Sequence, residues 1–319
     1  MSTLIQTDRH PHLPTLIAAA GDSATWRFLE FFTVNIRNAN TRAAYTRAAS
    51  QFLRWCEERG ISDLVAIKPM HVAGYIEQMQ GERSAPTVKQ HLACLRMLFD
   101  WLVTGQILPT NPAHAVRGPR HSVSKGATAV ISSAEARELL DSMDAATVVG
   151  LRDRALVAVM AFTFARVSAV VGLKVEDYYP QKKRWWLRLR EKNGKVNEMP
   201  CHHKLEDYLD AYISAACITE DSKGPLFRAA VGRTGQLSSR PMSRTDVWYM
   251  VQRRGVDAKI DTAMGCHTFR ATGITDYLTN GGRIEVAQRM AGHANAKTTG
   301  LYDRRGDDIN LSEIERIGI

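Results

Sequence analysis

Cysteine is scarce. The 319 residues hold five, Cys56, Cys94, Cys201, Cys217 and Cys266, an odd number with no Cys-x-x-Cys spacing. That argues against a disulfide framework and points to a reducing compartment. Long apolar runs are missing too: no segment approaches the roughly 18 uncharged apolar residues of a membrane span. The opening MSTLIQTDRHPHLP has neither the basic n-region nor the unbroken apolar core of a signal peptide. There is no Walker-type phosphate loop, no catalytic carboxylate pair and no cluster of metal-ligand residues. Cys201-His202-His203 comes nearest to a metal motif, and nothing elsewhere supplies the remaining ligands. Neither a metal nor a cofactor is expected. Acidic residues are the minority charge, 33 against 42 Lys and Arg, for a formal charge of +9. The excess is spread along the chain, which favours a broad positive face and an acidic partner, nucleic acid first.

What is present suits two domains with real cores, since 45% of the chain is hydrophobic. Residues 1–21 read as a flexible N-terminal arm. Residues 22–115 carry four helical patterns. The first runs from Thr25 to about Ile36 through Trp26, Phe28, Leu29, Phe32 and Val34. The second starts at Asn40 or Thr41 and stops before Gly60, and the third opens on Pro69. The fourth opens on Ser84 or Thr87, carries Val88, Leu92, Leu95, Leu98, Phe99 and Leu102, and ends near Gly105. This is a helical bundle whose polar faces display Arg37, Arg42, Arg47, Lys89 and Arg96. Residues 116–128, with Arg120 and Lys125, read as a basic linker.

The second domain, residues 129–319, opens on a capping box from Ser132 to Glu135. A helix from Val148 leads to Arg166. The alternating run RWWLRLR, the turn signal Asn193-Gly194 and a returning KVNEMP make a hairpin. Helical patterns resume at 205–213, 247–251, 267–279, 284–291 and 296–302. The expected fold is mainly α: a helical bundle followed by a mixed α/β domain with one small antiparallel sheet.

The residues that carry chemistry lie in five pieces: Arg166, Lys192 at the hairpin, His267 and Arg270 three apart on a helical face, Gly292-His293, and Tyr302 nine residues further on. Tyrosine is a weak nucleophile at neutral pH, because its pKa is about 10. It serves when the target is a phosphodiester and nearby cations stabilise both phenolate and phosphorane. Arginine grips phosphate oxygens with a planar fork that stays charged. Histidine can donate or shuttle a proton, and a lysine on a turn can reach a leaving oxygen. A covalent phosphotyrosine conserves the bond energy, so neither ATP nor metal is required. Gly292 permits a tight backbone before His293, and Thr298 or Thr299 can cap or brace the segment bearing Tyr302.

These pieces together resemble the tyrosine recombinase (phage integrase) family over nearly the whole chain. On that resemblance Arg166 in TFARVSAVVGL, Lys192 in REKNGK, His267 and Arg270, His293 and Tyr302 in TTGLYDRR are the catalytic residues. The helical first domain is similar to the family's SAM-like core-binding domain. The implied activity is site-specific recombination of double-stranded DNA at a core site, through a 3′-phosphotyrosyl intermediate and a four-way junction. The implied partners are that DNA and further copies of the chain, a dimer per site and a tetramer in synapsis, with residues 308–319 docking on a neighbour. A paralogous recombinase or an accessory DNA-bending protein would join them, with no membrane, in the cytoplasm on the nucleoid. Candidate DNA-contacting residues are Arg42, Arg47, Lys89, Arg96, Arg120, Lys125 and Arg244.

The chain departs from the family's Thr-Gly-x-Arg-x-x-Glu pattern. Phe164 stands for the glycine and Ala169 for the acid, which bears on how Arg166 is oriented. Arg304 stands where many relatives have histidine. Two other readings share the chemistry or the fold: a type IB topoisomerase acting on one duplex, and an architectural DNA-binding relative without catalysis.

Overall fold

The computed structural model describes residues 13–121, 126, 128–191, 194–303 and 315. It divides into two compact units, Met1–Ser122 and Val123–Ile319.

In the first unit α1 (Thr15–Ala19) and α2 (Asp22–Glu30) are followed by a π-helical turn, Phe31–Asn35, and by α3 (Ala39–Glu57), α4 (Pro69–Glu82) and α5 (Ala85–Thr104). Residues 13–21, expected as part of a loose arm, are instead anchored. Leu16 and Ile17 are buried, and the Leu16 amide donates to the Glu57 carboxylate at 3.1 Å. The first helical stripe also differs from expectation. Ala24, Phe28, Phe31 and Phe32 are buried, while Trp26, Leu29 and Val34 stand in solvent. The buried residues Ala24, Phe28, Phe31 and Phe32 keep a regular helical spacing, and Trp26, Leu29 and Val34 lie off that stripe. The second helix is capped by Asn38 rather than by Asn40 or Thr41, because both of those give their amides to Asn38 Oδ1, at 3.0 and 3.1 Å. Pro69 and Ser84 start α4 and α5 as their sequence positions imply, and all six apolar residues read along α5 are buried. Val116, placed in the linker from sequence, belongs to this core.

The second unit begins with α6 (Ser133–Asp141). Here Ser132 Oγ accepts from the Glu135 amide at 3.1 Å, and the Ser132 amide donates to the Glu135 carboxylate at 2.7 Å. Then come α7 (Val148–Thr163), α8 (Val167–Val171), β1 (Tyr178–Gln181), β2 (Arg184–Arg190), β3 (Val196–Pro200) and α9 (His203–Ala215). They are followed by β4 (Arg228–Ala230), β5 (Leu237–Pro241), α10 (Arg244–Asp257), α11 (Cys266–Thr279), α12 (Ile284–Met290) and α13 (Ala296–Gly300). Strands β1, β2 and β3 form an antiparallel sheet in that order, with Leu187 opposite Met199 and Leu189 opposite Asn197. Its alternation is the one read from RWWLRLR, with Leu187 and Leu189 turned into the core. A second antiparallel ribbon, β4 with β5, was not expected; its strands are short and carry no apolar alternation.

Helix α7 is apolar nearly all round and packs on α9 and α11 in the middle of the core. It also buries an ionic hub. Asp153 is fully buried and accepts from Arg152 at 2.6 Å and from Arg254 on α10 at 2.8 Å, while Arg152 donates to the Arg228 carbonyl at 2.8 Å. A buried carboxylate is tolerated only when so paired. The hub therefore locks the N-terminal part of α7 to α10 and β4, at the end opposite to the one from which the chain turns toward Arg166.

Candidate active site

The turn out of α7 places the first group. Phe164 ends the helix in the left-handed region, φ 56 and ψ 21, where the resemblance had a glycine. For a residue with a bulky side chain that conformation costs about 1–2 kcal/mol. The ring offsets the cost by burial. It packs with Ala271, Ile274, Leu278, Ala287, Ala291 and Tyr302, and meets Tyr277 edge to face at 6.0 Å. The space for it comes from Gly273 on α11, where a β-carbon would lie 2.9 Å from the Phe164 ring. Turned this way, the Phe164 carbonyl accepts from Nη1 of Arg270. Ala169, which stands for the family's acid, is a buried residue of α8.

Arg270 has no exposed surface at all. Its second terminal nitrogen donates to the Ala291 carbonyl at 2.6 Å, and its Nε is buried without a partner. Burial, and then the nearby charge of Arg166, push its pKa down to about 10, so it remains charged at neutral pH. Two guanidiniums held where each feels the other, one of them fully buried, make a site that an anion would relieve. Arg166 itself, half-exposed, donates to the Glu191 carboxylate at 2.7 Å.

Tyr302 follows α13. Its amide donates to the Thr299 carbonyl at 3.0 Å, and its own carbonyl accepts from the Thr275 hydroxyl at 3.0 Å. Its phenol oxygen lies 2.9 Å from Nε2 of His267, at the start of α11. His293 stacks flat on the Tyr302 ring, with centroids 5.9 Å apart and planes 5° apart. Gly292 reaches φ 60 to end α12 and deliver that histidine, whose Nδ1 lies 2.9 Å from the Thr299 hydroxyl. Thr298 and Thr299 were expected to cap or brace the segment bearing Tyr302; the Thr299 hydroxyl instead meets His293, and the cap of α13 is Asn295, which accepts from the Lys297 amide at 2.8 Å. Burial first, then Arg270 and Arg166, lower both histidines. His267 falls below its ordinary value and His293 falls to about 4. Both are neutral at pH 7. Cys266 next door is no competing nucleophile, because burial raises its thiol pKa.

The structure brings Arg166, His267, Arg270, His293 and Tyr302 to one place. Lys192 lies outside the described residues, as do Asn193, Lys125 and all of 308–319 except Glu315. The described part of the hairpin closes with the Glu191 amide on the Lys195 carbonyl at 2.7 Å, and Gly194 has φ 75. Among the described residues no cluster of ligands could hold a metal. Of the remaining basic candidates, Arg47, Lys89, Arg120 and Arg244 are exposed. Arg42 and Arg96 are half-buried and bonded to backbone: Arg42 to the Ile36 carbonyl at 3.0 Å, Arg96 to the carbonyls of Ala113 and Val116. Sequence reading missed Glu191 and the Phe164 and Ala291 carbonyls, and named Thr299 without its contact to His293. Only Glu191 carried a local signal, its place directly before Lys192.

Comparison with known proteins shows the family and the fold. The profile described as "Phage integrase family" matches residues 129–307, and that of "Phage integrase, N-terminal SAM-like domain" matches residues 27–106. The tyrosine recombinase XerD of Corynebacterium glutamicum is 27% identical over 288 residues, 88% of this chain and 91% of its own. The fold is shared with a XerH site-specific recombinase bound to a palindromic difH substrate in a post-cleavage complex, at TM-score 0.69, 15% identity, and 96% and 98% coverage. It is shared as well with a lambda integrase tetramer bound to a Holliday junction, at TM-score 0.65, 17% identity, and 96% and 86% coverage. One family profile spans more than half the chain and holds the Arg166 to Tyr302 constellation, so the chain belongs to the phage integrase family and is a site-specific tyrosine recombinase.

Proposed function

We propose that Tyr302 is the nucleophile of this recombinase and that Arg166, Arg270 and His293 hold the scissile phosphate. The 2.9 Å contact between the Tyr302 hydroxyl and His267 Nε2, beside the buried guanidinium of Arg270, carries this reading. Neutral His267 takes the phenol proton as the oxygen attacks phosphorus. The bond from phosphorus to the 5′ oxygen breaks and leaves a 3′-phosphotyrosyl link. Lys192 gives the 5′ oxygen its proton. Arg270 and Arg166 stabilise the charge that builds on the non-bridging oxygens, and the unpartnered Nε of Arg270 is free to serve it. When Thr299 donates to Nδ1 of His293, the other ring nitrogen carries hydrogen and can donate to the same phosphate. A free 5′-hydroxyl from the partner duplex then attacks the phosphotyrosine, returning tyrosine and producing a four-way junction.

The DNA partner is a core site bound by a dimer, with two dimers forming the synaptic tetramer. The family, the net charge of +9 and the junction-bound tetramer of the lambda integrase relative support this assembly. A paralogous recombinase or an accessory DNA-bending protein completes it, on the nucleoid in the cytoplasm. Among the described residues no helix is long and apolar enough to cross a membrane.

A nicked suicide duplex carrying the core site from DNA flanking the gene tests the proposal. Wild type should form a covalent protein–DNA band and Tyr302→Phe should form none. A band retained by Tyr302→Phe would refute the assignment.

A further inference from the structure

We infer that Glu191 is a positioning residue for Arg166, holding its guanidinium where the phosphate must sit. This rests on the reading of Arg166 as a phosphate ligand. The ion pair is 2.7 Å long and asymmetric in exposure: the Arg166 side chain is 38% exposed and that of Glu191 only 5%. The carboxylate is the fixed partner and the guanidinium the presented one. Glu191 is itself held at the end of β2 by its amide on the Lys195 carbonyl.

Nothing on the element bearing Arg166 can do this work. Helix α8 reads VSAVV, and its Ala169 offers a methyl group where a carboxylate would have been in reach. Arginine left unpaired would keep its rotamer freedom and swing into water, and ordering it at the moment of binding would cost entropy. It would also swing away from Arg270, whose charge repels it. Glu191 opposes both tendencies. Its charge acts on Arg270 in the direction that keeps that side chain protonated. The contact uses one terminal nitrogen of Arg166, while a guanidinium has five N–H donors. The remaining donors are available to a phosphate. Because Lys192 follows Glu191 directly in sequence, the same hairpin serves the grip on the phosphate and the proton for the leaving oxygen.

The test is single-turnover cleavage of the nicked suicide duplex by wild type, Glu191→Gln, Glu191→Ala, Arg166→Lys and the Arg166→Lys/Glu191→Ala double variant. Equilibrium binding to the same duplex and thermal melting are measured alongside. Loss of one charge-assisted hydrogen bond predicts cleavage slowed about 10- to 100-fold in both Glu191 variants, with duplex affinity changed less than about twofold. The double variant should be no slower than Arg166→Lys alone, because Glu191 acts only through that fork. Glu191→Gln keeps the shape of the side chain and reports even where Glu191→Ala fails to fold. Wild-type rates in Glu191→Gln, or single-variant losses that multiply in the double, would overturn the inference. Absence of a covalent band with wild type would instead overturn the proposed function and the inference with it.

Discussion

The ring of Phe164 occupies space that exists because residue 273 is glycine: a β-carbon there would stand 2.9 Å from the ring and 2.0 Å from the Ala161 carbonyl oxygen. Two positions far apart in sequence, one aromatic in a left-handed backbone and one without a side chain, form a single fitted pair. The pair decides how the chain leaves α7 and therefore where the Phe164 carbonyl meets Arg270.

Restoring glycine at 164 should therefore not improve the protein. Phe164→Gly removes about 1–2 kcal/mol of backbone strain but opens a cavity worth about 3–5 kcal/mol. Urea unfolding should show a net loss of about 1–4 kcal/mol. Gly273→Ala should lose a comparable amount in either background, since the Ala161 oxygen blocks it whatever stands at 164. Equal or higher stability of Phe164→Gly would contradict the compensation.

The depressed histidines set a sign for pH. His293 is held neutral down to about 4, whereas in the unfolded chain it protonates near the ordinary histidine value of 6.5. Between those values the unfolded state binds more protons, so stability is complete above about 6.5 and falls as pH drops toward 4. The contribution is at most about 3 kcal/mol. Unfolding followed from pH 7.5 to 4.5 should show a steeper decline for wild type than for His293→Gln. Parallel curves would place the cost of protonation elsewhere.

Asp153 is the keystone of the hub between α7, α10 and β4. Asp153→Ala leaves Arg152, itself 3% exposed, buried beside no counter-charge. A loss of about 3–5 kcal/mol is expected, with Tm falling by several degrees. Asp153→Asn, which still accepts hydrogen bonds, should lose less. A variant that melts like wild type would show that Arg152 and Arg254 find other partners.

The basic residues of the first unit should separate into two kinds. Lys89 is exposed, and Lys89→Ala should leave stability within about 0.5 kcal/mol while lowering the salt slope of DNA binding by about one if it meets a phosphate. Arg96→Ala should lose about 1–3 kcal/mol, because the Ala113 and Val116 carbonyls lose their donor. An unchanged salt slope in Lys89→Ala would remove it from the interface, and an unchanged Tm in Arg96→Ala would refute the anchoring role.

The features legible in the sequence were local ones. Ser132 with Glu135, Pro69, Ser84, the RWWLRLR alternation and the stripe of α5 each depend on residues within a turn or two of one another, and each formed as read. The spacing of His267, Arg270, His293 and Tyr302 was visible for the same reason, because those residues lie on neighbouring short elements near the end of the chain. Two local features differed from expectation. The first helical pattern mixed apolar residues of two faces, of which only the Ala24, Phe28, Phe31 and Phe32 stripe is buried, and β4 with β5 were too short to alternate.

What tertiary structure alone decided is how these groups are held. Arg166 is fixed by Glu191 at the end of a strand, Arg270 by carbonyls of Phe164 and Ala291, and His293 by Thr299. Phe164 keeps its left-handed turn through an absent side chain on α11. None of these contacts repeats with a helical or strand period, and most join residues distant in sequence. Periodicity records which face of an element is buried. Which side chain meets which across a packed core depends on the shape that the whole unit takes when it folds.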